Sequence, residues 1–485
     1  MHGFWVAFFF IAEFAVKSTL VLIILSRRRT RHPNTVAWVV LILAVPVVGL
    51  LAFLLAGEPR LGAARVRRHR EIHLRKGPFE RLPRHSAGGY REEQVWASLP
   101  PEYVQLARLG ETVARNPPRP GNLLELIGNA ETFVQKLVAD IDGARSYCHL
   151  EFYIMLPDST GIRVGEALKR AQARGVDTRL LLDSVGSRTF LRSSLRKNIE
   201  KGGVRVVECL PARLIRALFS RLDLRNHRKI AIIDGTVGYT GSQNIADEHF
   251  APKKRFAPWV DTMVRIQGPI LCDLQELFDE DWALDHPVVD ETPRTLHLEP
   301  RPSGVIAQVI ATGPHSFNAA LRQLIPAAFH TAKEELILTT PYFVPDETTI
   351  GALETAARRG VETTLVVPRR NDSPLVATAS RSHYDILLDA GVRIREFEGG
   401  LLHSKTMTVD RNLSVVSTAN LDRRSFELNF EVSLVIFDTD FSSHLRLLQK
   451  SYLDRSVAIV AEDWERRPWL RRVASNAAGA LSAVL

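Results

Sequence analysis

At 485 residues, 45% of them hydrophobic and 24% charged, the chain is an ordinary folded protein too long for one simple core, so two or three domains are expected. Its net charge of +9 is unevenly placed: residues 1–85 hold 14 Lys/Arg against 4 Asp/Glu, and the remaining 400 residues are nearly neutral. That neutral body argues against a basic nucleic-acid groove, and three scattered cysteines (Cys148, Cys209, Cys272) form neither a disulfide framework nor a zinc pattern.

Two stretches near the N-terminus are apolar. Phe4 to Leu25 is interrupted only by Glu13 and Lys17, four apart and able to pair on a helix, and Val36 to Ala56 is apolar throughout. Each reaches the roughly 20 residues that span a bilayer as a helix. Pro33-Asn34 fits a turn between them. Residues 1–58 are therefore expected to be a transmembrane helical hairpin in a multi-pass membrane protein. The longer arginine run after the second stretch favours a catalytic body on the cytoplasmic side, and the basic charge beside the apolar segments points to anionic lipid as partner. Residues 59–121 read as a basic, then Pro-rich connector. Its histidines, His69 and His73, lack a third ligand and belong on a solvated or lipid-facing basic helix.

From residue 122 the pattern is alternating strands and helices. Leu123–Ile127, Cys148–Ile154, Asp177–Asp183 and Val204–Val207 read as strands. Thr132–Arg145, Gly161–Arg174 (ended by Gly175) and Leu191–Lys201 read as helices. The order is replayed further on. Glu335–Thr340, Thr363–Val367 and Val392–Phe397 are strands, and Phe317–Thr331, Thr348–Arg359 (ended by Gly360) and Ser382–Asp389 are helices. AQARGVDTRLLL beside AARRGVETTLVV, and KGGVRVVE beside DAGVRIRE, mark an internal duplication of an α/β unit. The halves are placed at 122–298 and 299–485.

Each half carries the same constellation. In the first, His227-x-Lys229 is followed by Asp234, Ser242 and Asn244. In the second, His403-x-Lys405 is followed by Asp410, Thr418 and Asn420, at identical spacings from His to Lys, Asp and Asn. A single His-x-Lys-x4-Asp is expected by chance about 0.03 times in a chain of this length. His and Lys two apart on a strand share a face. A neutral imidazole beside a fixed ammonium suits an oxyanion with a reactive centre. Duplicated halves packing about a pseudo-twofold axis would bring the two pairs into one composite site.

These residues resemble the phospholipase D superfamily, and within it the bacterial cardiolipin synthases of the membrane-anchored type. The likeness continues through HLEFYI at 149–154, LLLDSVGS at 180–187, TPYFVPDE at 340–347 and EGGLLHSK at 398–405. It implies an α/β fold of two phospholipase D-like halves about a pseudo-twofold axis, in a multi-pass protein of the bacterial inner membrane. It also implies phosphatidyl transfer between two phosphatidylglycerols through a phosphohistidine, releasing glycerol. The catalytic motif residues are then His227, Lys229, Asp234, His403, Lys405 and Asp410, with His227 as nucleophile and His403 as acid/base; Asp234 and Asp410 read as more structural than chemical. Asp261 and Glu431 orient the histidines, and Ser242, Asn244, Thr418 and Asn420 bind phosphate along with the lysines. The scheme needs no metal and no cofactor. One departure stands out: Ser417 occupies the place of a motif glycine. Glu151 and Tyr342-Phe343 lie on strands beside the site, where pocket lining and packing are both open.

Four rivals remain. Water in place of the glycerol hydroxyl would make the chain a phospholipase D-type hydrolase, and another acceptor would make it a different phosphatidyltransferase, such as a phosphatidylserine synthase. A nucleic-acid phosphodiesterase fits the neutral body poorly, and a non-catalytic scaffold would have no use for two complete motifs.

Overall fold

The computed structural model describes residues 63–75, 92–211, 223–286, 303–314 and 320–482, together with a helix at Thr35–Ala44 and isolated positions elsewhere in the first 62 residues. Its centre is one continuous sheet of fifteen strands. In chain order these are β1 (Arg119–Ile127), β2 (Tyr147–Phe152), β3 (Asp177–Asp183), β4 (Arg205–Cys209), β5 (Lys229–Ile233), β6 (Val237–Gly241) and β7 (Met263–Gln267). The second half supplies β8 (Val305–Thr312), β9 (Glu335–Thr339), β10 (Glu362–Pro368), β11 (Arg393–Phe397), β12 (Thr406–Val409), β13 (Leu413–Ser417), β14 (Glu431–Phe437) and β15 (Ser456–Ala458).

Across the sheet the order is β15-β11-β10-β9-β12-β13-β14-β8-β1-β7-β6-β5-β2-β3-β4. Read outward from the antiparallel β8–β1 contact, where Ala307 lies opposite Arg119, the two halves have the same topology. β1-β7-β6-β5-β2-β3-β4 matches β8-β14-β13-β12-β9-β10-β11. The strands are parallel only at β2-β3-β4 and β9-β10-β11, where helices supply the crossovers. Those helices begin at side-chain caps: Asp158 and Ser193 in one half, Asp346 in the other. Gly175 and Gly360 follow two of them at φ +89° and +91°, a left-handed stop that only glycine adopts at little cost.

Each half has its own apolar layer. Phe133, Leu137, Val164, Leu168 and Ile199 pack on one face of the first half, and Leu324, Phe329, Leu353 and Leu387 on the second. A third cluster on the opposite face contains the helix Leu271–Asp285 and residues of both halves, among them Ile230, Phe278, Val309 and Leu434. The halves thus share a core as well as a sheet.

Two parts of the segment read as a connector also join this body. Tyr103, Leu106 and Ala107 are buried in the second-half core. The helix Ala63–Arg75 lies against Leu271–Asp285, with Arg65 on Asp285 (2.5 Å) and His69 on Glu280 (2.9 Å). His69 therefore faces the body and contacts Glu280, and is not a solvated or lipid-facing residue.

The transmembrane hairpin expected at residues 1–58 is corrected. Among the described residues no helix is long and apolar enough to cross a membrane. Thr35–Ala44, inside the second apolar stretch, has 10 residues; at 1.5 Å per residue it rises roughly 15 Å, about half a hydrocarbon core. Glu13 and Lys17 do pair, at 2.7 Å, but most of 4–25 and of 45–58 lies outside the described residues. The same finding corrects the expectations of a membrane-embedded chain and of a multi-pass inner-membrane location with a cytoplasmic catalytic body. Apolar composition reaches the length threshold in both stretches, yet a span requires one continuous helix, and none is described.

Outside the large sheet, Leu401–Leu402 pairs in parallel with Trp259–Val260 and so joins the two halves. Gly400 makes that approach possible. Its φ is +111°, and a Cβ there would stand 2.2 Å from the Pro258 carbonyl oxygen. We expect Gly400→Ala to destabilise the protein by at least about 1 kcal/mol and to lower turnover as well, because His403 and Asp261 follow directly on the two paired segments. Thermal melting beside an activity assay checks this; a variant with wild-type values in both would refute it.

Candidate active site

β5 and β12 each begin at or beside a motif lysine, and the alternation of a strand turns the motif histidine and lysine to one face. His227, Lys229, His403 and Lys405 are all buried. Their charges interact across the halves: Lys405 acts on His227, and Lys229 on His403. The two motifs therefore converge on one site.

The histidines are held by exchanged carboxylates. His227 of the first half places Nδ1 3.0 Å from Glu431 Oε2 of the second, and His403 of the second places Nδ1 2.7 Å from Asp261 Oδ1 of the first. The backbone repeats the exchange. His227 N–H donates to the Phe430 carbonyl and His403 N–H to the Val260 carbonyl, the residues immediately before the two carboxylates. Because an ionised carboxylate only accepts, each Nδ1 must carry the proton, which leaves Nε2 with its lone pair toward the site.

Ser242 and Thr418 take part in the same clamps. Ser242 Oγ donates to Asp261 (2.6 Å) and accepts from Thr262 N–H (2.9 Å); Thr418 Oγ1 donates to Glu431 (2.5 Å) and accepts from Val432 N–H (2.9 Å). The structure thus places these hydroxyls on the carboxylates that hold the histidines, where the sequence reading had them on phosphate. Asn244 accepts from Ile154 N–H through Oδ1, and Asn420 donates from Nδ2 to Asp422. Lys229 and Lys405 each donate to the carbonyl of their own motif histidine, at 2.7 and 2.6 Å.

Electrostatically the site is primed for an anion. Burial above all lowers Lys229 to about 7 and Lys405 to about 8, with the opposing Lys405 ammonium contributing to the fall at Lys229. Burial lowers His227 to about 4 against the pull of Glu431, and lowers His403 as well, so both imidazoles rest neutral. Burial works against charge on Asp261 too, but His403 and Lys405 outweigh it and hold the carboxyl at about 2. Glu431 likewise stays below its usual range, through His227 and Lys229.

Asp234 and Asp410 lie elsewhere. Five residues along a strand from each motif lysine is roughly 16 Å. Asp234 accepts the backbone N–H groups of Arg145, Ser146 and Tyr147, and Asp410 those of Lys333, Glu334 and Glu335. Both adopt positive φ, 52° and 48°. They tie the β5–β6 and β12–β13 turns to the start of the neighbouring antiparallel strands, β2 and β9, at the end of the sheet away from the site.

Ser417 is accommodated without strain. Its counterpart Gly241 has φ +150°, and a Cβ there would meet the Thr262 carbonyl oxygen at 2.3 Å. Ser417 is not among the positive-φ residues, and its hydroxyl bonds Ser433 at 2.7 Å and accepts from Ala419 N–H.

Sequence reasoning assigned no role to several residues beside the histidines. Tyr153 stands edge-on to His227, with ring centroids 4.8 Å apart, and Trp259 lies 4.6 Å from His403. Tyr342 donates to Asp372 (2.7 Å), which also pairs with Lys253 across the halves. Tyr153 and Trp259 adjoin recognisable motif strings, but no spacing rule singles out an aromatic that meets its histidine only in three dimensions.

The family described as cardiolipin synthase, phospholipase D-like domain, matches residues 137–282 and 325–450, so both halves and both motifs fall within it. The chain belongs to this branch of the phospholipase D superfamily. Residues 18–58 match a further family described as phospholipase D-nuclease N-terminal. Proteins named cardiolipin synthase A are similar over almost the full length. That of Erwinia tasmaniensis is 39% identical over 93% of this chain and 92% of its own; that of Edwardsiella ictaluri is 36% identical over 97% and 96%. Among solved structures, a phosphatidylserine synthase of Haemophilus influenzae aligns with TM-score 0.58 and 14% identity, covering 79% of this chain and all of that one. At that identity the likeness speaks for the shared fold alone.

The two kinds of motif carboxylate should respond differently to amide substitution. Asp234→Asn is expected to cost about 1–3 kcal/mol of stability with turnover close to wild type. Glu431→Gln should leave melting nearly unchanged but cut kcat by about 100-fold or more, since an amide no longer fixes the His227 tautomer. Melting curves and steady-state kinetics on both variants check the contrast, and equal kinetic losses would contradict it.

Proposed function

We propose that the chain acts as a cardiolipin synthase, moving a phosphatidyl group from one phosphatidylglycerol to the hydroxyl of a second, with release of glycerol. The observation that carries this is the pair of neutral imidazoles, each clamped through Nδ1 by the other half's carboxylate and flanked by a buried lysine. Membership of the cardiolipin synthase branch supports the choice of a phosphatidyl group as the moiety transferred.

In this reading both rings take part, with the nucleophile assigned to His227 by resemblance to the family. Nε2 of His227 attacks the lipid phosphorus, and the bond to the glycerol headgroup oxygen breaks. His403, charged at Nε2 once the anionic phosphodiester enters, gives its proton to the departing oxygen, so free glycerol leaves and a phosphatidyl-histidine remains. His403, now neutral, takes the proton of the incoming phosphatidylglycerol hydroxyl. That oxygen attacks phosphorus, the phosphorus–nitrogen bond breaks, and His227 is restored. Lys229 and Lys405, with the amides of Asn244 and Asn420, hold the non-bridging oxygens as charge builds. Glu431 and Asp261 keep each ring oriented and stabilise its cationic form.

Labelled phosphatidylglycerol, supplied as the only phospholipid in detergent, tests this directly. Cardiolipin and glycerol should appear together, and His227→Ala and His403→Ala should each lose at least about 1,000-fold of the rate. Phosphatidic acid as the product would make the chain a hydrolase, and no product from wild type would refute the substrate assignment.

The pH dependence has a defined sign. His227, lowered to about 4, is neutral and nucleophilic throughout the neutral range. Lys229 and Lys405, lowered to about 7 and about 8, lose charge as pH rises through that window. Phosphate binding should therefore weaken on the alkaline side, with kcat/KM falling roughly tenfold or more between about pH 6.5 and 9. A profile that rises across this range would contradict the roles given to the lysines.

A further inference from the structure

The residue between histidine and lysine differs in the two motifs: Arg228 in the first, Ser404 in the second. Strand alternation turns both to the face opposite the catalytic pair, where their surroundings are unlike.

Arg228 is almost wholly buried, and all three of its nitrogens are engaged. Nη1 pairs with Asp281 of the helix Leu271–Asp285. Nη2 donates to the Thr312 carbonyl at the end of β8 (2.9 Å), and Nε to the backbone carbonyl of Glu431 (3.3 Å). The guanidinium also lies 5.4 Å from the centre of the Phe430 ring. One side chain from the first half thus grips three consecutive features of the second: the strand beside Glu431, the ring before it and its own carbonyl.

Asp281 has a second acidic neighbour. Glu151 of β2 accepts from Asn226 Nδ2 (2.5 Å), while its other oxygen and the second oxygen of Asp281 are buried with no hydrogen-bond donor. Arg228, Glu151 and Asp281 are 1%, 1% and 0% exposed, and nearby Arg65 is matched by Asp285. One cation balances one carboxylate, so the second must be neutral. Burial, reinforced by the charge of Asp281, pushes Glu151 well above the carboxylate range. A protonated Glu151 supplies the donor that the two orphan oxygens lack. It is therefore part of a charge-balanced bracket behind the sheet, with no share in the substrate pocket.

The second motif has a neutral counterpart. Ser404 Oγ bonds Thr262 Oγ1 at 2.7 Å, Thr262 meets the Tyr452 hydroxyl at 3.3 Å, and the Thr339 hydroxyl donates to the Ser404 carbonyl at 3.4 Å. Nothing in it touches the Asp261 backbone through a charge.

We propose that Arg228, braced by Asp281 and Glu151, is a positioning residue that sets Glu431 against His227, and that the His403–Asp261 pair works without an equivalent brace. The two dyads are then mechanically unequal. The ring that must meet phosphorus in line is fixed through its carboxylate's backbone, whereas the ring that shuttles protons rests on a neutral hydroxyl network. This rests on the reading of His227 as nucleophile.

Arg228→Lys keeps the charge but loses the three-way fork, and Asp281→Asn removes the anion that braces it. Each should melt cooperatively, keep KM for phosphatidylglycerol within about threefold and lose about 10- to 100-fold in kcat, while Ser404→Ala stays within about threefold of wild type in both. The proposal is overturned if both folded variants keep wild-type kcat, if Ser404→Ala loses as much as they do, or if neither variant retains a cooperative transition. Inactivity of the wild type on phosphatidylglycerol would instead refute the substrate assignment. The same three variants would then be compared on bis(p-nitrophenyl) phosphate, where the same ranking is expected and equal rates would overturn the brace.

Discussion

Everything in the site depends on an exchange. Each motif histidine belongs to one half of the duplication and its carboxylate to the other, and the backbone hydrogen bond beside each pair repeats the crossing. Neither half can make a competent dyad by itself. This gives the shared core and the continuous sheet a chemical meaning: the antiparallel contact of β1 with β8 and the common cluster around Ile230, Val309 and Leu434 keep two imidazoles in register. A shift between the halves would break both dyads at once.

The same exchange makes the burial of so much charge tolerable. Two ammonium groups and two carboxylates form the innermost set, with both imidazoles neutral, so the set is close to balanced by itself. In the proposed mechanism an entering phosphodiester brings one negative charge, protonation of one imidazole offsets it, and the proton for leaving-group departure is thereby recruited by the substrate. Burial lowers the lysines and histidines alike, which keeps the histidines nucleophilic and makes the lysines responsive to an anion.

The duplication is strict in topology and loose in chemistry. Asp234 and Asp410 perform the same turn-fastening task at similar positive φ, and Ser242 and Thr418 clamp equivalent carboxylates. Gly241 and Ser417, or Arg228 and Ser404, meet different surroundings and differ accordingly. Where the backbone is crowded by the Thr262 carbonyl a glycine is required, and where a serine hydroxyl faces Ser417 a side chain is welcome.

Much of this was written in the sequence. The strand–helix order, the helix stops at Gly175 and Gly360, and the paired His-Lys motifs follow from local periodicity and spacing, which act between residues close in the chain. Asp261 and Glu431 could be named as the orienting carboxylates, but not matched to their histidines, because the match is made by strands 142 and 204 residues apart. The hydroxyls of Ser242 and Thr418, read as phosphate ligands, turned out to face those carboxylates for the same reason. At the N-terminus, apolar composition suggested membrane spans that the described helices do not provide. The sequence alone determined which chemical groups the protein owns and how each half folds. Only the tertiary structure decided which group stands against which, because that depends on how two similar halves share one sheet and one core.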